Sequence, residues 1–458
     1  MAFHRLVTVV AGAVVVGSVL SGGGDARPSA QGPDTFSEHV APIVFGNCTP
    51  CHRPGEAAPF PLMGYRDARP LAKAIATATS SRVMPPWKAG PSDYAFQNAR
   101  QLSTDQIATI QRWVDDGMLE GDPARLPAMP RFIEGWQLGQ PDLVVTMGEA
   151  FEVAARGPDV YRNFVVPLNV ERDTWVRAID FRPSARAVVH HSLFFLDATG
   201  AARERDAGDP LPGFAGGMGS ARVLGAGRGN GLAGLLTGRG AARPDDQIAR
   251  AGGGLGGWAL GGRALELPAG LAFFVPKGSD LILSTHFHPS GKVEREQSTV
   301  GLYFAAAPPT QAFTTIQLPP IFGVFEGLDI PAGEGRYTLK DSFVIPVDVR
   351  AFGVGAHAHC LGKRMTLTAT LPDGTVRTLL RIDDWDFSWQ ERYSFKDFVS
   401  LPKGTRLDAE MSYDNSAANK RNPARPPVRV TWGEESFQLT LARMEPQIRV
   451  LCGLRDRF

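Results

Sequence analysis

Cysteine is scarce in this chain, with four in 458 residues. That is too few for the disulfide framework that holds small secreted domains together. An excess of charge is also missing. Lys and Arg total 48 against 47 Asp and Glu, a formal charge of +1. Such a balance gives no electrostatic footing for nucleic acid or for an anionic membrane surface. Long apolar runs are absent too. The uncharged stretch from Leu6 to Leu20 falls short of the roughly 20 residues that span a bilayer as a helix, and no later run reaches that length. Neither a Ser-His-Asp arrangement nor a phosphate-loop signature is present. What is plentiful is Gly (51) and Pro (36). With frequent turn signals they favour β-rich architecture over a helical bundle.

The N-terminus reads as an export signal. Arg5 precedes the Leu6–Leu20 run, and small and polar residues follow. Residues 1–30 are therefore expected to be a signal peptide, with a retained anchor as the alternative. The mature chain is expected outside the cytoplasm, periplasmic or secreted, and to meet a membrane only if this segment is kept. At this length two to four domains are expected. Residues 31–122 look helical. Phe36, Val40 and Ile43 recur at helical spacing. Ser103 and Gln106 form a capping box ahead of the stripe Ile107, Ile110, Trp113 and Val114. The Pro/Gly-rich stretch 123–140 reads as a linker. From 141 the period shortens, and segments such as DLVVTM, NFVVPLNV, TWVRAIDF, AVVHHSLFFL, DLILSTHFH, STVGLYFA and VRVTWG read as strands. Residues 213–262, crowded with Gly and Ala, contain no strong strand and read as a long insertion.

Cys48-Thr49-Pro50-Cys51-His52 is a CxxCH motif. In an exported chain this spacing reads as covalent attachment of haem c, with two thioethers and the adjacent imidazole on the iron. A redox-active CxxC and half of a zinc site are the alternatives. Met84, ahead of two prolines, is the candidate for the opposite axial ligand. The helix that ends near Asp116 would close the pocket, with Trp113 packing inward. Cys360 and Cys452 remain, either joined as a disulfide or as two buried thiols.

Nine histidines are present, and six of them form three tight pairs: His190-His191, His286-x-His288 and His357-x-His359. Paired imidazoles suit copper, zinc, iron or nickel. In a strand, residues i and i+2 share a face. Adjacent His190 and His191 would face opposite ways, so one metal takes both only at a strand end or a bulge. Asp414-Asn415-Ser416 and Asn422-Pro423 mark a turn-rich loop. Asp383, Asp384, Trp385 and Trp389 read as a loop edge with packed aromatics and carry no expected catalytic role.

The segments AVVHHSLFF, LILSTHFHPSGK, GVGAHAHCLGKRM and SYDNSAANKRNPARPPVRVTWGEE, in this order, resemble the type II copper, ascorbate-dependent monooxygenases. That family includes dopamine β-monooxygenase and peptidylglycine α-hydroxylating monooxygenase. GGWALGGRALELPAG resembles bacterial relatives that carry a cytochrome c domain in front, so the likeness covers nearly the whole chain. It implies a multidomain chain: a small α-helical cytochrome c domain over 31–122, then two antiparallel, jelly-roll-like β-sandwich domains at 141–310 and 311–458. It also implies two coppers. His190, His191 and His286 would hold the first, which takes part in electron supply. His357 and His359 would hold the second, where oxygen meets substrate. His288 has no ligand role in the resemblance. The family pattern places a methionine ligand a few residues after Trp432-Gly433-Glu434. Here Thr440 stands in that position, and Met444 lies four residues on, roughly 13 Å further along a strand.

The expected function is thus an exported copper monooxygenase that hydroxylates a C–H bond of a small molecule or peptide with O2. Its electrons would come from an ascorbate-like reductant or a redox protein by way of the haem. The competing expectation is a non-catalytic haem/copper electron-transfer or copper-binding protein that lost the second-site methionine.

Overall fold

A computed structural model describes residues 32–56, 58–216, 254–311, 328–387 and 391–431, together with 313, 316, 318 and 389. The expected signal segment, most of the Gly-rich insertion, Thr440, Met444 and Cys452 lie outside the described residues.

Two antiparallel five-stranded sheets form the first β region. One runs Phe214–Ala215, Val160–Pro167, Asp280–Phe287, Val189–Asp197, Gly254–Ala259. The other is built on Thr174–Arg182 and Thr299–Phe304, with Leu143–Thr146, Leu265–Glu266 and Phe273–Val275 at its flanks. Alternation explains how they pack. Phe164, Val166, Leu281, Leu283, Phe194 and Leu196 point from the first sheet into a shared core with Val176, Ile179, Phe181, Val300 and Leu302 of the second. His286 has the opposite parity to Leu281 and Leu283, so it leaves the strand on the outer face.

The second β region holds a four-stranded sheet in the order Tyr337–Val344, Arg406–Tyr413, Gly362–Thr370, Val376–Ile382. A two-stranded ladder joins Val349–Gly355 to Arg392–Leu401, and a shorter one joins Asp329–Ile330 to Val430–Thr431.

The expected fold class, a separate small helical domain in front of two sandwiches, needs correction. The chain is mostly β, and only four short α-helices occur among the described residues. Three of them, with the turn Phe36–Val40, lie between residues 36 and 115 and share the buried residues Phe36, Ile110 and Trp113. The chain between Tyr65–Ser80 and Thr104–Asp115, however, leaves this cluster and adds to the second β region. Gly90 donates to Arg381 O at 2.7 Å, Gln97 to Ser394 O at 2.8 Å, and Lys396 to Ala95 O at 2.8 Å. Phe96 packs between Tyr393 and Phe395, and Ala89 is buried with Trp385 and Ile382. A segment whose apolar side chains are covered only by a later sheet is not an independent domain.

The Gly-rich stretch needs a second correction. Gly254–Ala259 is a strand that pairs with His191–Phe195. A Cβ on Gly257 would lie 2.8 Å from Ser192 O. Glycine here permits close backbone approach, which poor strand propensity conceals. The capping box at Ser103 and Gln106 is present, and Trp113 packs on Phe36 with its indole N–H on Leu119 O at 2.9 Å.

Candidate metal centre

The outer face of the Val160–Pro167, Asp280–Phe287 and Val189–Asp197 sheet carries the centre. His286 pairs with Tyr161 on one side and His191 on the other. The next pairing is Phe287 with Val189, so His190 is an extra residue in its strand. This bulge lets two adjacent histidines serve one point. His190 Nδ1 lies 3.1 Å from His191 Nδ1, and His286 Nδ1 lies 3.4 Å from the same atom. His190, His191 and His286 form a cluster able to bind a metal ion, with ligand atoms all within 4.8 Å of one another. Nitrogens bound at 2.0–2.1 Å in tetrahedral directions would stand about 3.3 Å apart, close to the two separations seen.

Electrostatics disfavour a proton on His191. Burial, then the neighbouring His286, His190 and His357 imidazoles, push His191 well below its ordinary value. Rings with little affinity for protons keep lone pairs free for a metal at neutral pH. His286 is fixed by groups the sequence did not single out. Tyr161 stacks on it at 4.4 Å, 9° from parallel. Its Nε2 donates to Asp159 Oδ2 at 2.7 Å. His288, beyond the strand end, donates from Nδ1 to Asp159 Oδ1 at 2.7 Å. Burial would raise the Asp159 carboxyl, but the hydrogen bonds from His286 and His288 outweigh it and hold it well below the usual carboxylate range. Asp159 in turn raises His288.

His357 and His359 lie in the loop after Val349–Gly355 rather than on a strand. The chain there is still arranged so that their rings sit 5.2 Å apart. Burial, then His357, brings His359 down to about 3. Cys360 next to it is disulfide-bonded. Phe387 stacks on His359 at 5.6 Å and meets His286 at 6.2 Å, so one phenyl ring stands between the two histidine groups.

Cys48 and Cys51 are free thiols. Burial and then Cys51 push Cys48 up to about 12, and burial also raises Cys51. The Phe60 carbonyl can only accept, so His52 donates to it from Nδ1 at 3.1 Å. That leaves Nε2 bare, as an axial ligand requires, and burial lowers His52 despite this bond. Met84 follows Tyr65–Ser80, with its amide on Ala78 O at 3.1 Å. No hydrogen bond or ring contact joins Met84 to His52 among the described residues. The CxxCH loop is docked on the first β region. Arg186, four residues before His190, meets Glu56 at 2.6 Å. A Cβ on Gly261 would lie 3.0 Å from Cys51 Sγ.

No family model matches the chain, and no curated protein matches it. Two solved structures show a remote likeness. An oxalate decarboxylase studied for proton-coupled electron transfer is 8% identical with a TM-score of 0.13, covering 70% of this chain and 87% of that one. A mutant of the Bacillus subtilis oxalate decarboxylase OxdC is 8% identical with a TM-score of 0.13, covering 72% and 90%. Scores this low carry no argument about fold or activity.

Proposed function

We propose that the protein is an exported copper monooxygenase that inserts one atom of O2 into a C–H bond of a small-molecule or peptide substrate. The observation that carries this reading is the convergence of three imidazole Nδ1 atoms at His190, His191 and His286. Imidazole sets suit copper, which supplies one-electron redox chemistry when bound. His357 and His359 are the proposed holders of a second copper, facing the first group across Phe387. Hydroxylation consumes two electrons per O2, which two one-electron centres supply. Cys48 and Cys51 are the proposed thioether positions of a c-type haem, and His52 and Met84 are the residues that would hold its iron. An ascorbate-like reductant or a redox protein feeds it.

A periplasmic or secreted location accords with the bonded Cys360, since disulfides persist in oxidising compartments. No helix among the described residues is long and apolar enough to cross a membrane.

A second reading is favoured by one observation, Thr440 at the place of the family's methionine. Without a soft sulfur ligand the chain would bind copper and pass electrons without activating oxygen. Metal counting with oxygen uptake separates the two. The enzyme reading expects two coppers per chain, one lost in His357→Ala, and reductant-driven O2 consumption dependent on substrate. One copper per chain, with no uptake beyond haem autoxidation across a broad substrate set, would establish the electron-transfer reading instead.

A further inference from the structure

We infer that Asp159 is a positioning residue that selects the metal-facing nitrogen of His286, and that His288 is the anchor of Asp159 rather than a metal ligand. The inference rests on the metal-binding reading of the His190, His191 and His286 cluster and assigns the groups that build it.

Each oxygen of the Asp159 carboxylate lies 2.7 Å from an imidazole nitrogen, and a carboxylate oxygen in such a contact accepts. The 2.7 Å contact from His286 Nε2 to Asp159 Oδ2 therefore places the ring proton on Nε2. In a neutral imidazole the lone pair is then on Nδ1, the atom that stands 3.4 Å from His191 Nδ1. Flipping the ring would bring a bare nitrogen to the carboxylate and an N–H to the metal. The stacked Tyr161 ring blocks tilting away from that plane. Asp159 is thus the outer member of a carboxylate–histidine–metal arrangement. It precedes the Val160–Pro167 strand, so a second hold is needed to keep the carboxyl in plane. His288 supplies it with a 2.7 Å bond to the other oxygen. The backbone amide of His288 donates to Val188 O at 2.8 Å, which ties this anchor to the strand that bears His190 and His191. The spacing of His286 and His288 then has a purpose: one ring faces the metal point, and the other holds the acid that orients it.

The test uses the full chain carrying His357→Ala and His359→Ala, so that only the first cluster is read. Cu(I) affinity is measured by competition with a colorimetric chelator, and histidine ring tautomers are measured by nitrogen NMR on the metal-free protein. Asp159→Asn is expected to weaken Cu(I) binding by 10- to 100-fold, on the order seen for outer-shell partners, and to abolish the single Nε2–H tautomer of His286. His288→Asn is expected to weaken binding less, while Cu(II) EPR still reports three nitrogen ligands. Unchanged affinity and an unchanged His286 tautomer in Asp159→Asn would overturn the inference. So would loss of one nitrogen ligand in His288→Asn. If Asp159→Asn fails to fold, the same two readouts on His288→Asn decide. The tautomer measurement needs no metal. A chain that binds no Cu(I) yet shows His286 fixed as Nε2–H by Asp159 would sink the copper reading and leave the positioning role standing.

Discussion

His286 meets a carboxylate at one nitrogen, a tyrosine on its face and two histidines at the other nitrogen, and each contact has a separate chemical reason. Paired histidines marked the candidates in the sequence, but the grouping of His190, His191 and His286, with His288 left out, came from the family resemblance rather than from the strand period. Asp159 was not legible. It lies 127 residues from His286, and a carboxylate before a strand has no local pattern that marks it. Only strand pairing brings the two together. Cys48 supports a prediction at this scale. Its thiol is pushed up from 9.0 to about 12 in the folded chain. In protein made without haem, the unfolded thiol ionises first as pH rises. Stability from this group is therefore fully present below pH 9 and is lost as pH climbs towards 12, by on the order of a few kcal/mol. Alkylation at pH 8 should be much slower in the native protein than in urea. Protein made with haem should resist alkylation even in urea, because thioethers do not ionise. Fast labelling of both native thiols would contradict the buried placement.

Elements that the sequence marked by alternation are strands, as in Val189–Asp197, Asp280–Phe287 and Thr299–Phe304. Those that depend on partners were missed. The Gly254–Ala259 edge strand reads as loop because three of its six residues are glycine, yet glycine is what fits against Ser192. The His190 bulge was stated only as a condition for adjacent histidines to share a metal, and the register meets it. The turn after the edge strand carries a further consequence. Gly261 has φ of +74°, and a Cβ there would lie 3.0 Å from Cys51 Sγ, while Leu260 next to it donates to His190 O at 3.1 Å. Gly261→Val should cost backbone strain on the order of 2 kcal/mol and also push the CxxCH loop away. Gly278→Val is the control, since φ there is +71° and nothing lies within 4 Å of a new Cβ. Both variants should lower Tm, but only Gly261→Val should speed Cys51 alkylation in haem-free protein. Equal Cys51 labelling in the two would show that the turn does not seat the loop.

At the scale of the whole chain, the division into a helical unit and β units fails because of one connection. Residues 87–97 carry Trp87, Tyr94 and Phe96 into the second β region, and Arg100 closes the segment on Glu391 at 2.8 Å. From the sequence these residues contain one proline and lie inside the stretch 31–122, so they read as part of the helical segment. Their covering partners, Tyr393 and Phe395, come about 300 residues later. The same segment begins three residues after Met84, so whatever Met84 holds is coupled mechanically to the second β region. Phe96→Ala should destabilise the chain by about 2–4 kcal/mol, less than a fully enclosed ring at the upper end of the range. Because the segment joins both parts, hydrogen-exchange protection should fall together in Tyr65–Ser80 and in Arg392–Leu401. Loss confined to Arg392–Leu401, with the helices unchanged, would mean that the helical cluster stands on its own after all. Joint loss would show that the helical cluster and the second β region open as one cooperative unit, as fixed distances between the proposed redox sites require.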